Sequence, residues 1–338
     1  MKNLLKSRRH LLVCGLAAAA ALGAPLSRAA GTPLLNVSYD VSREFYKDYN
    51  KAFAAHWKKT SGEDLTLNQS HGGSSAQARA VIDGLDADVI TMNQALDIDK
   101  VAEAGLIGAD WARRLPGNSA PTSSVTVFMV RKGNPKAIRD WADLARPGTG
   151  VVIPNPKTSG NGRYSYLGAW GSVIKAGGSP AQARELTAKI FANVPVFDGG
   201  GRAATTTFAQ RQIGDALVTF ESEVQSILEE FGRNFDIVYP KHTVLAENPV
   251  AVIDKVVDRK GSRKAAEAYV KYLYSDEAQQ IAIKHNLRTF NEKILAAHAG
   301  EFPKVSTFTV DEVFGGWRKA QAEHFKDGGL YDQILPKR

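Results

Sequence analysis

The sequence predicts an α/β protein built as two lobes, and three observations predict it. Strand-like and helix-like segments alternate along the chain, the pattern of βαβ units and largely parallel sheets. The alternation restarts at Thr122 after an irregular stretch, which separates two units. The chain has 338 residues with 43% hydrophobic content, enough for a sizeable core in each unit.

The elements follow in order. "LLNVSYD" (Leu34 to Asp40) reads as a strand, and an amphipathic helix follows with Phe45, Tyr49, Phe53 and Trp57 at four-residue spacing. "DLTLNQS" (Asp64 to Ser70) is a strand, "GGSSAQARAVIDG" a turn and helix, and "ADVITM" (Ala87 to Met92) a third strand. After the restart, "TSSVTVFMVRKG" and "GTGVVIPNP" read as strands, followed by a helix carrying Tyr166 and Trp170. "VPVFDGGGRAATTTFAQRQIG" (Val194 to Gly214) predicts strand, Gly-rich turn and helix, and "DALVTFESEVQSIL" strand then helix. Asp236 to Ile253, with Pro240 and Pro249, reads as an extended return strand, and "SRKAAEAYVKYLYSDEAQQIAIKH" as one long helix. Phe308, Phe314 and Trp317 would dock the end of the chain onto earlier elements. The division this gives is residues 30–120 and 241–290 in one lobe and 121–240 and 291–338 in the other.

Residues 1–29 read as a leader rather than fold. A basic start, an apolar middle from Leu11 to Leu26 and small residues near Ala29 are the order of a secretory signal. Paired Arg8 and Arg9 leave the general secretory and twin-arginine routes both open. The leader holds five of the 43 basic residues and none of the 35 acids, so without it the net charge drops from +8 to +3. That argues against a nucleic-acid partner. Cys14, the one cysteine, also lies there, so the exported chain has no thiol and needs no disulfide.

Four strand-to-helix junctions share one character: "SYDVSRE", "SHGGSSAQ", "KTSGNGR" and "GGGRAATTT". Each sets small or hydroxyl residues at a helix start, where unpaired N–H groups and the positive dipole end suit an anion. The same residues are ordinary N-caps, so each junction alone reads either way. Phosphate loops, dinucleotide fingerprints, nucleophile elbows and HExxH pairs are absent from the sequence. His71 is the one histidine in these loops; Asp40 and Glu221 are conceivable as an acid–base pair; Arg163 and Arg202 would pair with an anion or brace loops.

Taken together, "LLNVSYDVSRE", "QSHGGSSAQA", "ADVITMNQ", "RKGNPKAIRDWADL", "NPKTSGNGRY", "FDGGGRAATTTFAQR", "TFESEV" and "FGGW" resemble the periplasmic sulfate- and thiosulfate-binding proteins. The resemblance spans the chain beyond the leader. It implies a type II periplasmic binding-protein fold closing on one dehydrated anion. It also implies periplasmic localisation, a monomer, no catalysis, no metal or cofactor, and delivery of the anion to the permease subunits of an ABC importer. In residue terms it places Ser74, with Ser75 beside it, in the second loop. Ser159 supplies a hydroxyl, and Gly160 and Asn161 N–H donors. Gly201 is a further donor with Arg202 bracing, and Asp40 stands at a helix start near the anion.

Two departures from the sulfate-specific pattern stand out. Phe220 replaces a tryptophan whose indole N–H donates to the anion, and Asn161 replaces a glycine; both match the thiosulfate-binding branch. The competing readings are a binder of another tetrahedral oxyanion, molybdate or phosphate, and an exported hydrolase using Ser74 or Ser159 as nucleophile.

Overall fold

The computed structural model describes residues 33–335; the leader expected at 1–29 lies outside them. Two sheets carry the fold. The first has four strands in the order β2 (Leu67–Gly72), β1 (Leu34–Tyr39), β3 (Val89–Thr91), β9 (Val250–Val252). β1 runs parallel to β2 and β3, while β9 closes the edge antiparallel.

The second sheet is organised on one long strand, β4 (Thr122–Arg131). β6 (Ala216–Phe220), β7 (Phe235–Val238), β8 (His242–Asn248) and β10 (Arg288–Thr289) all pair with it antiparallel. β5 (Val151–Val152) joins β6, and β11 (Ser306–Phe308) joins β8, both parallel. This sheet is therefore mixed, where the alternation of elements suggested largely parallel pairing. Val125, Val127 and Met129 of β4 pack with Phe208 and Leu217. Phe128 and Val130 pack with Trp141 and Tyr166 on the opposite face, as the two-residue period of a strand buried on both sides demands.

β8 hydrogen-bonds to β4 and β9 to β3, so the chain passes from the second sheet back to the first between Asn248 and Val250. Both Pro240 and Pro249 interrupt strands, since neither can donate to a ladder, and only the second marks the crossing. The long helix of residues 262–285 is two, Arg263–Tyr272 and Asp276–Lys284, because Ser275 caps the second by accepting from the Ala278 N–H at 3.2 Å. Val194–Asp198 forms no strand; it is an irregular segment in which Asp198 accepts a backbone bond from Asn155, while Asn193 just before it accepts one from Val151.

The first helix, Arg43–Ser61, buries Phe45, Tyr49, Phe53 and Trp57 as its spacing predicts, and Tyr49 and Phe53 meet Tyr269 edge-on at 4.9 and 5.1 Å. Each such side chain contributes about 1.5–3 kcal/mol by leaving water. The chain end docks as expected: Phe308, Phe314 and Trp317 are buried in the core that holds Tyr164 and Tyr166. Short polar strand-to-helix loops lie between the two sheets, and these position the site.

Candidate functional site

The third loop is the most enclosed. Ser159 caps the helix Gly160–Lys175, its hydroxyl oxygen accepting from the Gly162 N–H at 3.3 Å. Residues 160–172 of this helix are all buried, including its first turn, whose N–H groups have no partner within the helix. Gly162 admits no side chain: a Cβ would collide with the Pro154 carbonyl oxygen and stand 2.8 Å from the Asn155 carbonyl carbon. The neighbouring Gly160 faces Asn93, which follows β3 of the other sheet; a Cβ on Gly160 would lie 2.7 Å from Asn93 Oδ1. The two lobes therefore touch at this helix start. Asn93 Oδ1 is buried and has no donor among the described residues.

Asn161 turns its amide into the second lobe. Its Oδ1 accepts from Ser165 at 3.2 Å and its Nδ2 donates to the Thr219 hydroxyl at 3.4 Å. That amide nitrogen also lies 3.3 Å from where a Cβ on Gly201 would stand, with the Glu223 carboxyl 3.7 Å from the same point. Gly201 opens the short helix Gly201–Thr205. Phe220 ends β6 and packs edge-on to Tyr164 at 5.6 Å, presenting a ring with no polar hydrogen. Arg202 turns away: it is exposed and pairs with Glu230 at 2.7 Å, so it braces one helix against another.

In the first lobe, Ser74 and Ser75 open the helix Ser74–Ile82, and both hydroxyls donate to one buried carboxylate, Asp97, at 2.6 and 2.8 Å. Gln94 Nε2 donates to the same group at 2.7 Å. Those hydroxyl hydrogens are committed, so what the turn offers an anion is backbone N–H. Gln94 also accepts from the Arg163 guanidinium at 3.5 Å, a second crossing between lobes. Burial pushes the Arg163 pKa down while Asp97 pulls it up. Asp40 stands at the end of β1, half exposed, 3.5 Å from Arg43. His71 bonds the Ser38 hydroxyl through Nδ1 at 2.6 Å rather than Ser74, and burial followed by Arg43 lowers its pKa. Glu221 pairs with Arg288 at 2.6 Å, not with Asp40.

The structure thus brings Asn161 and Gly201 against one carboxyl, that of Glu223, with Asp40 and Arg202 in its field. It ties Ser74 and Ser75 to the Ser159–Asn161 helix through Asp97, Gln94 and Arg163. Sequence reasoning missed Asn93, Gln94, Asp97 and Glu223. Glu223 lay inside a quoted motif, and its place in the first turn after Phe220 was the available signal. A cavity of about 280 Å³ lined by Trp111, Glu247, Asp311 and Trp317 sits elsewhere, and none of the nine candidate residues lines it.

This is the architecture of a solute receptor: two α/β lobes meeting at a buried helix start. Residues 36–288 match the family described as bacterial extracellular solute-binding protein. The chain is 61% identical over 321 residues to the thiosulfate-binding protein of Pseudomonas aeruginosa, covering 94% of this chain and 96% of that one. It is 50% identical over 303 residues to the sulfate-binding protein of Escherichia coli, covering 89% and 92%. Among solved structures, the sulfate-binding protein SubI from Mycobacterium tuberculosis H37Rv superposes with a TM-score of 0.79 at 30% identity, covering 87% of this chain and all of that one. The chain belongs to the sulfate- and thiosulfate-binding protein family.

Proposed function

We propose that this protein captures sulfate or thiosulfate in the periplasm and delivers it, as a monomer, to the permease subunits of an ABC importer. The observation that carries this reading is the buried helix start at Ser159–Asn161, which meets the other lobe through Asn93 and Arg163. Donors there are the N–H groups of Gly160 and Asn161 with the Ser159 hydroxyl. The N–H groups around Ser74, Gly201 and Asp40 complete the cradle. A dianion gains charge-assisted bonds to such donors, and the dipole ends add to them.

Phe220 offers the anion no hydrogen bond, which forfeits about 1.5–3 kcal/mol relative to an indole donor. A large terminal sulfur suits a phenyl ring better than an oxygen does, so thiosulfate binds at least as well as sulfate. Hydrogen phosphate brings a proton that a cradle of donors leaves unpaired, so phosphate binds weakly. Calorimetry with sulfate, thiosulfate, molybdate and phosphate tests this: a large preference for sulfate sinks the branch assignment, and phosphate competing on equal terms sinks the donor cradle.

The hydrolase reading finds no support in the described contacts. Ser74 donates to a carboxylate already shared with Ser75 and Gln94, and Ser159 accepts from a backbone N–H, so neither contacts a histidine or lysine base. No catalysis and no nucleic-acid partner belong to this reading.

A further inference from the structure

Asn93 stands two residues past β3, at the carboxyl end of a strand that runs parallel to β1. Ligands of open α/β sheets approach from that end. Its side chain is 8% exposed, yet its buried Oδ1 has no donor and its Nδ2 no acceptor among the described residues. Gln94, next in sequence, uses both ends of its amide, on Asp97 at 2.7 Å and on Arg163 at 3.5 Å. Asn93 instead faces the start of the helix Gly160–Lys175 in the other lobe. Its Oδ1 and Nδ2 lie 2.7 and 2.9 Å from where a Cβ on Gly160 would stand. A buried amide left unpaired is costly. The first N–H groups of the helix beside it have no partner within the helix. One unpaired group from each lobe therefore borders the same space, and an anion held there would pair with both.

We propose that Asn93 is a side-chain donor to the captured anion, its Nδ2 giving the first lobe a hydrogen bond to one of the anion's oxygens. The inference rests on the anion-capture reading above. With no partner to fix the amide, a half-turn exchanges its two ends. Fully ionised sulfate and thiosulfate only accept hydrogen bonds, so the end that turns to either is the nitrogen, and the cradle stays one of donors. Phe220 offers no donor from the second lobe, and Asn93 supplies one from the first. Both anions carry oxygens, so the bond serves both alike and leaves the choice between them to Phe220.

The experiment compares wild type, Asn93→Leu and Asn93→Asp by calorimetry with sulfate, thiosulfate and phosphate, beside thermal melts of the anion-free proteins. Leucine keeps much of the shape and removes both polar ends. Its Kd should rise about 10- to 150-fold for sulfate and thiosulfate alike, the range for a lost hydrogen bond to a charged acceptor. Its anion-free melt should hold or rise, because no unpaired amide is then buried. Aspartate keeps the shape and puts an acceptor where the donor was, so its loss should exceed that of leucine. An Asn93→Leu protein that binds both anions within about threefold of wild type overturns the inference. So does phosphate binding by wild type that Asn93→Leu abolishes, since the carbonyl end would then face the cleft. Nitrogen-15 spectra of the wild type need no variant: the Asn93 side-chain amide signals should shift on saturation with either anion, and signals that stay in place overturn the inference. Wild type that binds neither anion overturns the capture reading instead, and the Asn93 role with it.

Discussion

Gly160→Ala tests whether the lobe contact seen here belongs to the filled state. A methyl on Gly160 would stand 2.7 Å from Asn93 Oδ1, 2.9 Å from Nδ2 and 3.1 Å from Cγ. Contacts that short require a shift. Overpacking a close interface costs about 1–3 kcal/mol, and the neighbour here is a side-chain end rather than backbone, which puts the cost in the lower half. Asn93 is buried, so it cannot simply swing into water. About 1–2 kcal/mol corresponds to roughly a 5- to 30-fold rise in Kd for either anion. The two residues sit on different lobes, so the penalty applies where the lobes meet and not within one. Without anion, the melting temperature should hold or rise slightly, because Ala restricts the unfolded chain more than Gly does. Calorimetry gives the affinity and a thermal melt of the anion-free protein gives the stability. An unchanged Kd refutes the contact as part of the filled state. A drop of several degrees in the anion-free melt refutes the claim that the clash lies between lobes.

Ser159→Ala removes the helix cap and the proposed hydroxyl donor together; it should cost about 0.5–2 kcal/mol of stability in the melt and about 10- to 150-fold in anion affinity by calorimetry. Phe220→Trp restores an indole N–H, so the ratio of sulfate to thiosulfate affinity should move towards sulfate by about tenfold or more; taking the ratio cancels the strain of a larger ring against Tyr164. His324 is buried, bonded to Tyr166 at 2.9 Å, and burial drops its pKa to about 4. A base held neutral in the fold contributes stability that is complete above its unfolded value near 6.5 and lost as the pH falls towards 4, about 3 kcal/mol in all. Denaturant melts should therefore show the stability gap between wild type and His324→Phe shrinking across that window.

The strands and the aromatic stripe of the first helix were legible in the sequence because their periods are local properties: β1, β3, β4 and β6 fall where hydrophobic runs placed them. Pairing direction was not legible. Whether β4 meets its neighbours parallel or antiparallel depends on where the chain goes next, and Pro240 and Pro249 look alike until the ladder shows that only the second ends a lobe crossing. In the site, the loops were visible as four runs of small residues, and Asn161 with Phe220 stood out against a family pattern. Asp97 was invisible, since one acid on an amphipathic helix (Ala95–Glu103) reads as surface until Ser74, Ser75 and Gln94 are found converging on it. Arg202 was read from its motif as a brace beside the anion loop, and its charge pairs with Glu230.

Two buried carboxyl groups next to the proposed site for a dianion look like a contradiction, and the structure handles them in opposite ways. Asp97 takes three short hydrogen bonds from Ser74, Ser75 and Gln94, and Lys100 stands 3.9 Å away. Its charge is spread into donors that in turn hold the second loop in place, and the Gln94 bridge sets Arg163 of the other lobe within its field. Three such donors offset much of what burying the carboxyl costs. Glu223 has the weaker donors Asn161 and Thr219 and an acid, Asp40, across the cleft. Burial therefore pushes the Glu223 carboxyl up to about 7, with Asp40 adding to the push and Thr219 and Asn161 opposing it. The same cleft thus uses one acid as a strut that fixes the second loop and leaves the other outside any ion pair among the described residues.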